Sequence, residues 1–173
     1  MSIELNLPLA SAAGPAEFAS SVAPPKASAT PALIEQLVER HGAEWVDEHS
    51  VDAWKSGPGN RVLFFAGDPV RFPECLDVAV VLPELQRSFP GRFIVGVARR
   101  EAEDAVARRF SSQRWPSLMF WRDGKYVTVV AGMHDWDVYL KLIEQALAMP
   151  TSRLPGIGIP VVAAGGADAS SCH

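Results

Sequence analysis

Cysteine is scarce in this chain, long apolar runs and an excess of positive charge are absent, and each of these features excludes a class of protein. The only cysteines are Cys75 and Cys172, which are too few for a disulfide framework and fit a reducing compartment. No apolar run is long enough to span a bilayer, and residues 1–5 do not begin a secretory signal. The net charge of −4 and the pI near 5.5 argue against a nucleic-acid-binding face. We therefore expect a cytoplasmic protein that neither binds nucleic acid nor inserts into a membrane.

Motifs for metal, nucleotide or nucleophilic chemistry are also missing. Cys172-His173 resembles half a metal site, but zinc needs three or four ligands, and His41 and His49 have no ligand spacing. No Gly-rich phosphate loop, Ser-His-Asp arrangement or pair of catalytic carboxylates can be argued from the spacing. We therefore expect no metal, no cofactor and no enzymatic activity.

Composition divides the chain into three segments. Residues 1–31 are rich in Ala, Ser and Pro, and residues 150–173 in Gly, Ala and Ser, which predicts flexible tails around one domain at 32–149. Apolar side chains alternate with other residues at the start of the first tail: Ile3, Leu5, Leu7 and Leu9. This segment is either a disordered terminus or an extended strand that docks on the domain or on a partner.

Hydrophobic periodicity predicts an α/β domain. Apolar residues at helical spacing predict helices at 33–41, 51–54, 74–89, 101–110 and 136–147. Continuous or alternating apolar runs predict strands at 45–46, 61–66, 92–98, 117–121 and 126–131. The order implies a mixed sheet flanked by helices, in which the strand–helix–strand units are parallel with right-handed crossovers.

The last two strands form a hairpin that is entered through Trp115-Pro116 and turns at Asp123-Gly124. A proline at the entry to such a hairpin resembles the thioredoxin fold, in which a cis-proline faces the redox-active cysteine pair. The resemblance covers about residues 42–149, so we expect a thioredoxin-like domain.

The redox residues of thioredoxin have no full set of counterparts here. If Pro83 is matched to the helix proline of thioredoxins, Cys75 takes the place of the nucleophilic cysteine and Val78 that of the resolving cysteine. Leu63 stands where the redox enzymes carry a buried acid. The resemblance therefore implies the scaffold without dithiol exchange.

Five segments carry a more specific resemblance: LIEQL at 33–37, WVD at 45–47, VLFFAGDP at 62–69, the stretch at 73–85 that ends in LPEL, and RWPSL at 114–118. They are similar to the hydrogenase expression proteins HupG, HyaE and HoxO, which are thioredoxin-like and lack the cysteine pair. The resemblance implies a chaperone for maturation of the iron–sulfur small subunit of a membrane-bound nickel–iron uptake hydrogenase. Such a chaperone recognises the precursor and its twin-arginine signal peptide before export, and a second hydrogenase accessory protein is a further candidate partner.

Six residues are candidates for a partner-binding face: Phe72, Glu74, Cys75, Asp77, Trp115 and Pro116. Trp115 and Pro116 either supply turn geometry only or form the floor of a groove in which an extended peptide pairs with the backbone. Phe72 either lines the same surface or fills the core. Glu74 and Asp77 either attract a twin-arginine peptide, together with Asp47, Asp68 and Glu84, or belong to a solvated helix face.

Cys75 is the sharpest candidate for chemistry. A helix N-terminus would lower the pKa of its thiol, whereas the neighbouring Glu74 and Asp77 would raise it. Cys75 is either a semi-buried structural cysteine or the nucleophile of a monothiol redox protein, which is the alternative function. A third hypothesis is a structural subunit of a maturation complex that makes its contacts through the tails.

Two basic pairs lie near or within the predicted helix 101–110. They are Arg99-Arg100 and Arg108-Arg109. We expect them to be solvent-exposed partners of Glu101 and Glu103.

Overall fold

The computed structural model describes residues 30–154. The helices are α1 (Ala32–His41), α2 (Val51–Lys55), α3 (Glu74–Ser88), α4 (Glu103–Arg109) and α5 (Trp136–Ala148). The strands are β1 (Glu44–Val46), β2 (Asn60–Phe65), β3 (Ile94–Ala98), β4 (Ser117–Arg122) and β5 (Lys125–Ala131). The predicted kinds and order of elements are confirmed. Most of both predicted tails, with the alternating segment at 3–9, lies outside the described residues.

The five strands form one mixed sheet in the order β1-β3-β2-β4-β5. β1 and β2 are parallel to β3, and β4 is antiparallel to β2 and β5. Ser117 is in register with both Phe65 and Ala131, so β4 begins where β2 and β5 end. We call this side of the sheet the carboxyl edge; it carries the loops after β2 and β3 and the loop before β4.

Helices cover both faces of the sheet and bury two cores. α1, α3 and α5 pack on one face, and α2 and α4 pack on the other. Successive side chains of β2 alternate between them: Val62 and Phe64 enter the first core, while Leu63 and Phe65 enter the second. All four are fully buried, as expected for a central strand covered on both faces.

Turn chemistry explains several of the element ends. Gly42 ends α1 in the left-handed conformation at φ 70°, and the Ala43 N–H donates to the Leu37 carbonyl at 3.0 Å. Asp123 and Gly124 both have positive φ, 49° and 78°, which suits the tight turn between β4 and β5.

The chain beyond α5 runs along the outer side of β5. The Ser152 N–H donates to the Tyr126 carbonyl at 2.7 Å, and the Ser152 hydroxyl donates to the Val127 carbonyl at 3.1 Å. Leu154 packs against the core beneath α2 and α4. Residues 150–154, which composition assigns to the second tail, therefore contact the domain.

None of the helices within residues 30–154 combines the length and the apolar character needed to cross a membrane.

Candidate functional site

The loop after β2 is a compact turn organised by Asp68. Its carbonyl accepts hydrogen bonds from the N–H groups of Arg71 and Phe72 at 3.0 and 2.7 Å, and its side chain accepts one from the Val70 N–H at 2.8 Å. The Phe72 carbonyl then accepts a bond from the Cys75 N–H at 3.1 Å, where α3 begins. The turn thus delivers Phe72 to the carboxyl edge just before α3.

The loop before β4 reaches the same edge. The Trp115–Pro116 peptide bond is cis, and Pro116 is buried. The Pro116 carbonyl accepts a hydrogen bond from the Gly132 N–H at 2.7 Å, and the hydroxyls of Ser112 and Ser117 lie 3.3 Å apart in a buried pair. These contacts hold the loop against the ends of β4 and β5.

Phe72 and Trp115 meet at this edge and form what we call the aromatic face. Their rings stack with centroids 5.8 Å apart and an interplanar angle of 26°, and both residues are half-buried. The Trp115 indole N–H has no hydrogen-bond acceptor within residues 30–154, so packing alone holds the ring. The guanidinium carbon of Arg71 lies 5.5 Å from the Phe72 ring centroid.

Two carboxylates follow the aromatic face directly. Glu74 and Asp77 are exposed in the first turn of α3, and their spacing of three residues places them on one side of the helix. Neither forms an ion pair within the described part of the chain. Asp68 and Glu84, in contrast, are each paired with an arginine, and Asp47 accepts hydrogen bonds in the turn before α2.

Cys75 does not belong to this surface. Its side chain is 0% exposed and lies in the core that α1, α3 and α5 form with the sheet. Burial, and then the charges of Glu103, Glu74 and Asp68, raises the pKa of the thiol from 9.0 to about 11. The prediction of Cys75 as a partner-binding residue is wrong, because the side chain is covered, and the thiolate that nucleophilic chemistry needs is strongly disfavoured.

Glu103 is a site residue that the sequence indicates only as a partner of solvent-exposed arginines. It is 1% exposed, and its carboxylate accepts a hydrogen bond from the Gly67 N–H at 2.8 Å. One sequence feature indicates its burial. Glu103 lies three, four and seven residues before Val106, Ala107 and Phe110, and this helical spacing places it on the same inward-facing stripe. A buried acid therefore lies at the carboxyl edge, although Leu63 occupies the expected position in β2.

The expectation for the basic pairs is met only in part. Arg100 pairs with Glu103 at 3.2 Å and with Asp68 at 3.4 Å, so it links α4 to the turn after β2. Arg109 pairs with Asp52 in α2 rather than with a glutamate of its own region. Within residues 30–154, no three His, Cys, Asp or Glu side chains are placed to hold a metal ion.

Comparison with known proteins identifies the family. The family model described as "Hydrogenase-1 expression protein HyaE" matches residues 33–139, which is more than half of the chain. The chain belongs to the HyaE family. The hydrogenase expression/formation protein HoxO of Cupriavidus necator is 60% identical over 160 residues, covering 91% of this chain and 98% of the relative. HupG of Rhizobium leguminosarum is 40% identical over 135 residues, covering 76% of this chain and 91% of the relative.

Solved structures resemble the HyaE-family domain as well. A hydrogenase expression/formation protein HupG from Rhodopseudomonas palustris is 42% identical, with a TM-score of 0.43, over 61% of this chain and 95% of that chain. A thioredoxin from Halobacterium salinarum is 22% identical, with a TM-score of 0.51, over 61% of this chain and 90% of that chain. The predicted thioredoxin-like fold and the predicted family are both confirmed.

Proposed function

We propose that this HyaE-family protein is a non-enzymatic chaperone for the iron–sulfur small subunit of a membrane-bound nickel–iron uptake hydrogenase. It binds the twin-arginine signal peptide of the precursor in the cytoplasm, before export. Membership of a hydrogenase expression/formation family supports the general role in maturation. The observation that carries the peptide-binding step is the aromatic face of Phe72 and Trp115 beside two carboxylates that form no ion pair with any of residues 30–154.

The aromatic face suits the apolar part of a signal peptide. The two stacked rings offer a rigid, half-buried apolar surface, and tryptophan is among the residues that contribute most to binding energy at interfaces. The hydrogen bond from the Gly132 N–H to the Pro116 carbonyl holds the loop that carries Trp115 against the ends of β4 and β5. A preformed surface of this kind loses little conformational entropy when a peptide binds.

Glu74 and Asp77 suit the two arginines. A guanidinium forms bidentate, charge-assisted hydrogen bonds with a carboxylate, and two carboxylates one helical turn apart match two consecutive arginines. Arg71 lies against Phe72, and Arg114 is exposed beside Trp115, so positive charge flanks the rest of the face. This asymmetry directs the arginines of the peptide to α3 and its apolar part to the rings.

The burial of Cys75, the cysteine that the structure describes, supports a binding role over a redox role. Cys75 is the only cysteine among the described residues; it is fully covered, and its raised pKa keeps the thiol protonated at neutral pH. Val78, which takes the place of the resolving cysteine if Pro83 is matched to the helix proline of thioredoxins, is also buried in the core. The domain therefore holds a peptide without exchanging a disulfide with it.

Fluorescence anisotropy with a labelled signal peptide of the cognate small subunit tests this function. We expect Trp115→Ala to weaken binding at least about tenfold, the loss of a hot-spot side chain. The matched control is Trp136→Ala, which removes an exposed tryptophan, 41% accessible, from α5. A peptide with two lysines in place of the arginines should bind more weakly, because lysine lacks the bidentate geometry.

The charge variants complete the test. Reversal of both carboxylates, Glu74→Lys with Asp77→Lys, should abolish binding, whereas Glu144→Lys on α5 should leave it unchanged. Wild-type affinity in both the Trp115→Ala variant and the double charge reversal would exclude this face. Co-purification with the mature subunit but not with the signal peptide would move the epitope to the folded client. The same co-purification reports any second hydrogenase accessory protein.

A further inference from the structure

Glu103 is a buried carboxylate that the proposed function does not yet use. It is the first residue of α4 and is 1% exposed, while the neighbouring Glu101 and Asp104 are exposed. A carboxylate is costly to bury, and proteins keep one in the interior only with partners that satisfy its oxygens. The partners of Glu103 therefore indicate what the residue does.

Both oxygens of Glu103 are engaged at the turn after β2. One accepts the hydrogen bond from the Gly67 N–H at 2.8 Å, and the other contacts the Arg100 guanidinium at 3.2 Å. Arg100 in turn reaches the Asp68 carboxylate at 3.4 Å. Two consecutive residues of the turn are thus tied to α4, although they are more than thirty positions away in the sequence.

The same turn touches both rings of the aromatic face. A β-carbon on Gly67 would lie 2.8 Å from Phe72 and 2.8 Å from Trp115, so the backbone at this position packs directly against both side chains. The Asp68 carbonyl fixes the position of Phe72, because it accepts the 2.7 Å hydrogen bond from the Phe72 N–H. A displacement of Gly67 or Asp68 therefore has to move the ring pair.

We propose that Glu103 is the positioning residue of the aromatic face: with Arg100 it holds the Gly67–Asp68 turn and so keeps Phe72 stacked on Trp115. The assignment rests on the proposed function for the identity of the ligand, but not for the effect of Glu103 on the rings. Glu103 itself has no contact with a bound peptide, because it is covered.

The charges around Glu103 make this role dependent on pH. Burial raises the pKa of the Glu103 carboxyl above its ordinary value, against the opposing effects of the Gly67 hydrogen bond and Arg100. Asp68 from the turn, with Cys75 and Glu74 from α3, are the other titratable groups on this side. Protonation of Glu103 removes the ion pair with Arg100 and weakens the bond from Gly67, so the turn should loosen as the pH falls through the raised pKa.

Nuclear magnetic resonance on the full ¹⁵N-labelled chain tests the positioning role without any ligand. We expect the amide proton of Gly67 to titrate with an inflection above pH 4.5, the ordinary pKa of a glutamate, and to lose this inflection in Glu103→Gln. Contacts between the Phe72 and Trp115 rings should weaken in Glu103→Gln, and in wild type as the pH falls. Glu101→Gln, an exposed change in the same segment, should alter neither signal.

Peptide binding supplies the second measurement. We expect Glu103→Gln to bind the signal peptide at least about fivefold more weakly than wild type at neutral pH, and to bind with a flatter pH profile. Because Glu74 and Asp77 are present in both proteins, the difference between the two profiles isolates Glu103.

The outcomes separate the two claims. Unchanged ring contacts and an unchanged Gly67 titration in Glu103→Gln would overturn the positioning role. If the rings respond as expected but the wild-type protein binds no signal peptide, the proposed function fails and the positioning role stands. If Glu103→Gln does not fold, the pH titration of wild type still decides the ring contacts.

Discussion

At the scale of single residues, the reactivity of Cys75 is decided by its surroundings rather than by its position in α3. The start of a helix favours a thiolate, but complete burial and three neighbouring carboxylates outweigh that effect. With a pKa of about 11, only roughly one thiol in ten thousand is ionised at neutral pH. A cysteine at the start of this helix is the nucleophile in thioredoxins, but Cys75 is a packing residue of the core.

Thiol chemistry tests this conclusion. In a Cys172→Ser background, we expect Cys75 to react with an aromatic disulfide reagent only as fast as the protein unfolds, and rapidly in denaturant. We expect Cys75→Ser to retain wild-type peptide affinity. A mixed disulfide trapped through Cys75 in the native protein, or insulin reduction that Cys75→Ser abolishes, would restore the monothiol redox function.

Gly67 is the residue at which backbone conformation and ring packing meet. Its φ of 78° is strained for any residue with a side chain, and its missing β-carbon makes room for both rings. We expect Gly67→Ala to lower the free energy of unfolding by about 2–4 kcal/mol, the sum of strain and overpacking, and to weaken peptide binding. Chemical denaturation measures the first effect and fluorescence anisotropy the second.

Gly91→Ala is the matched control for that change. Gly91 has a similar φ of 69°, but no atom lies within 4 Å of the position of its β-carbon. Gly91→Ala should therefore lower the free energy of unfolding only by the backbone strain, about 1–2 kcal/mol, and should leave peptide binding unchanged. Equal decreases in the free energy of unfolding for Gly67→Ala and Gly91→Ala would mean that Gly67 does not support the rings.

At the scale of elements, apolar patterns together with cap and turn residues were enough to predict each helix and strand of the described domain. The continuous apolar run of β2 indicates a strand covered on both sides, and Asp123-Gly124 indicates the hairpin turn. Local pattern does not show which distant elements meet. Phe72 and Trp115 were both predicted as candidates, but their stacking depends on a turn that is anchored to α4.

Glu103 illustrates the same limit for the site. Charged residues are rarely buried, so a glutamate near the start of a charged helix is normally assigned to solvent. Its main partner is the backbone N–H of Gly67. Nearly every residue type has a backbone N–H, so the sequence does not reveal this partner. Only the apolar stripe that Glu103 shares with Val106 and Phe110 indicated that it faces inward.

The packing of α2 on β3 depends on another glycine. A β-carbon at Gly96 would lie 2.5 Å from the Trp54 ring and 2.8 Å from Val46. We expect Gly96→Ala to lower the free energy of unfolding by about 1–3 kcal/mol, measured by urea denaturation. The double variant Gly96→Ala with Trp54→Phe should lose less free energy of unfolding than the two single variants lose together, because the smaller ring relieves the overlap. Strict additivity would contradict this contact.

At the scale of the whole molecule, the groups buried in the cores set how stability responds to alkali. Burial raises the pKa of Tyr139 from 10.0 to about 12 and that of Cys75 from 9.0 to about 11. The folded state therefore keeps protons that the unfolded chain has already released at these pH values. Because the folded state binds more protons, the free energy of unfolding must fall as the pH rises.

Cys75 provides the specific test of this response. Its contribution is fully present below pH 9 and is lost as the pH rises through about 11, a decrease of roughly 2–3 kcal/mol in the free energy of unfolding. Urea denaturation between pH 8 and 11 should show the decrease in wild type and a shallower slope in Cys75→Ser. Parallel slopes for the two proteins would show that the thiol titrates as it does in solvent.

The two ends of the described chain lie at opposite ends of the sheet, and this has a practical consequence for any assay. Thr30 borders a cavity with Arg99 and Arg100 at the carboxyl edge, whereas Ser152 is bonded beside Tyr126 at the start of β5. A surface tether joined directly at Thr30 would therefore crowd the side on which the peptide is expected to arrive, whereas one joined directly at Leu154 would leave that side open.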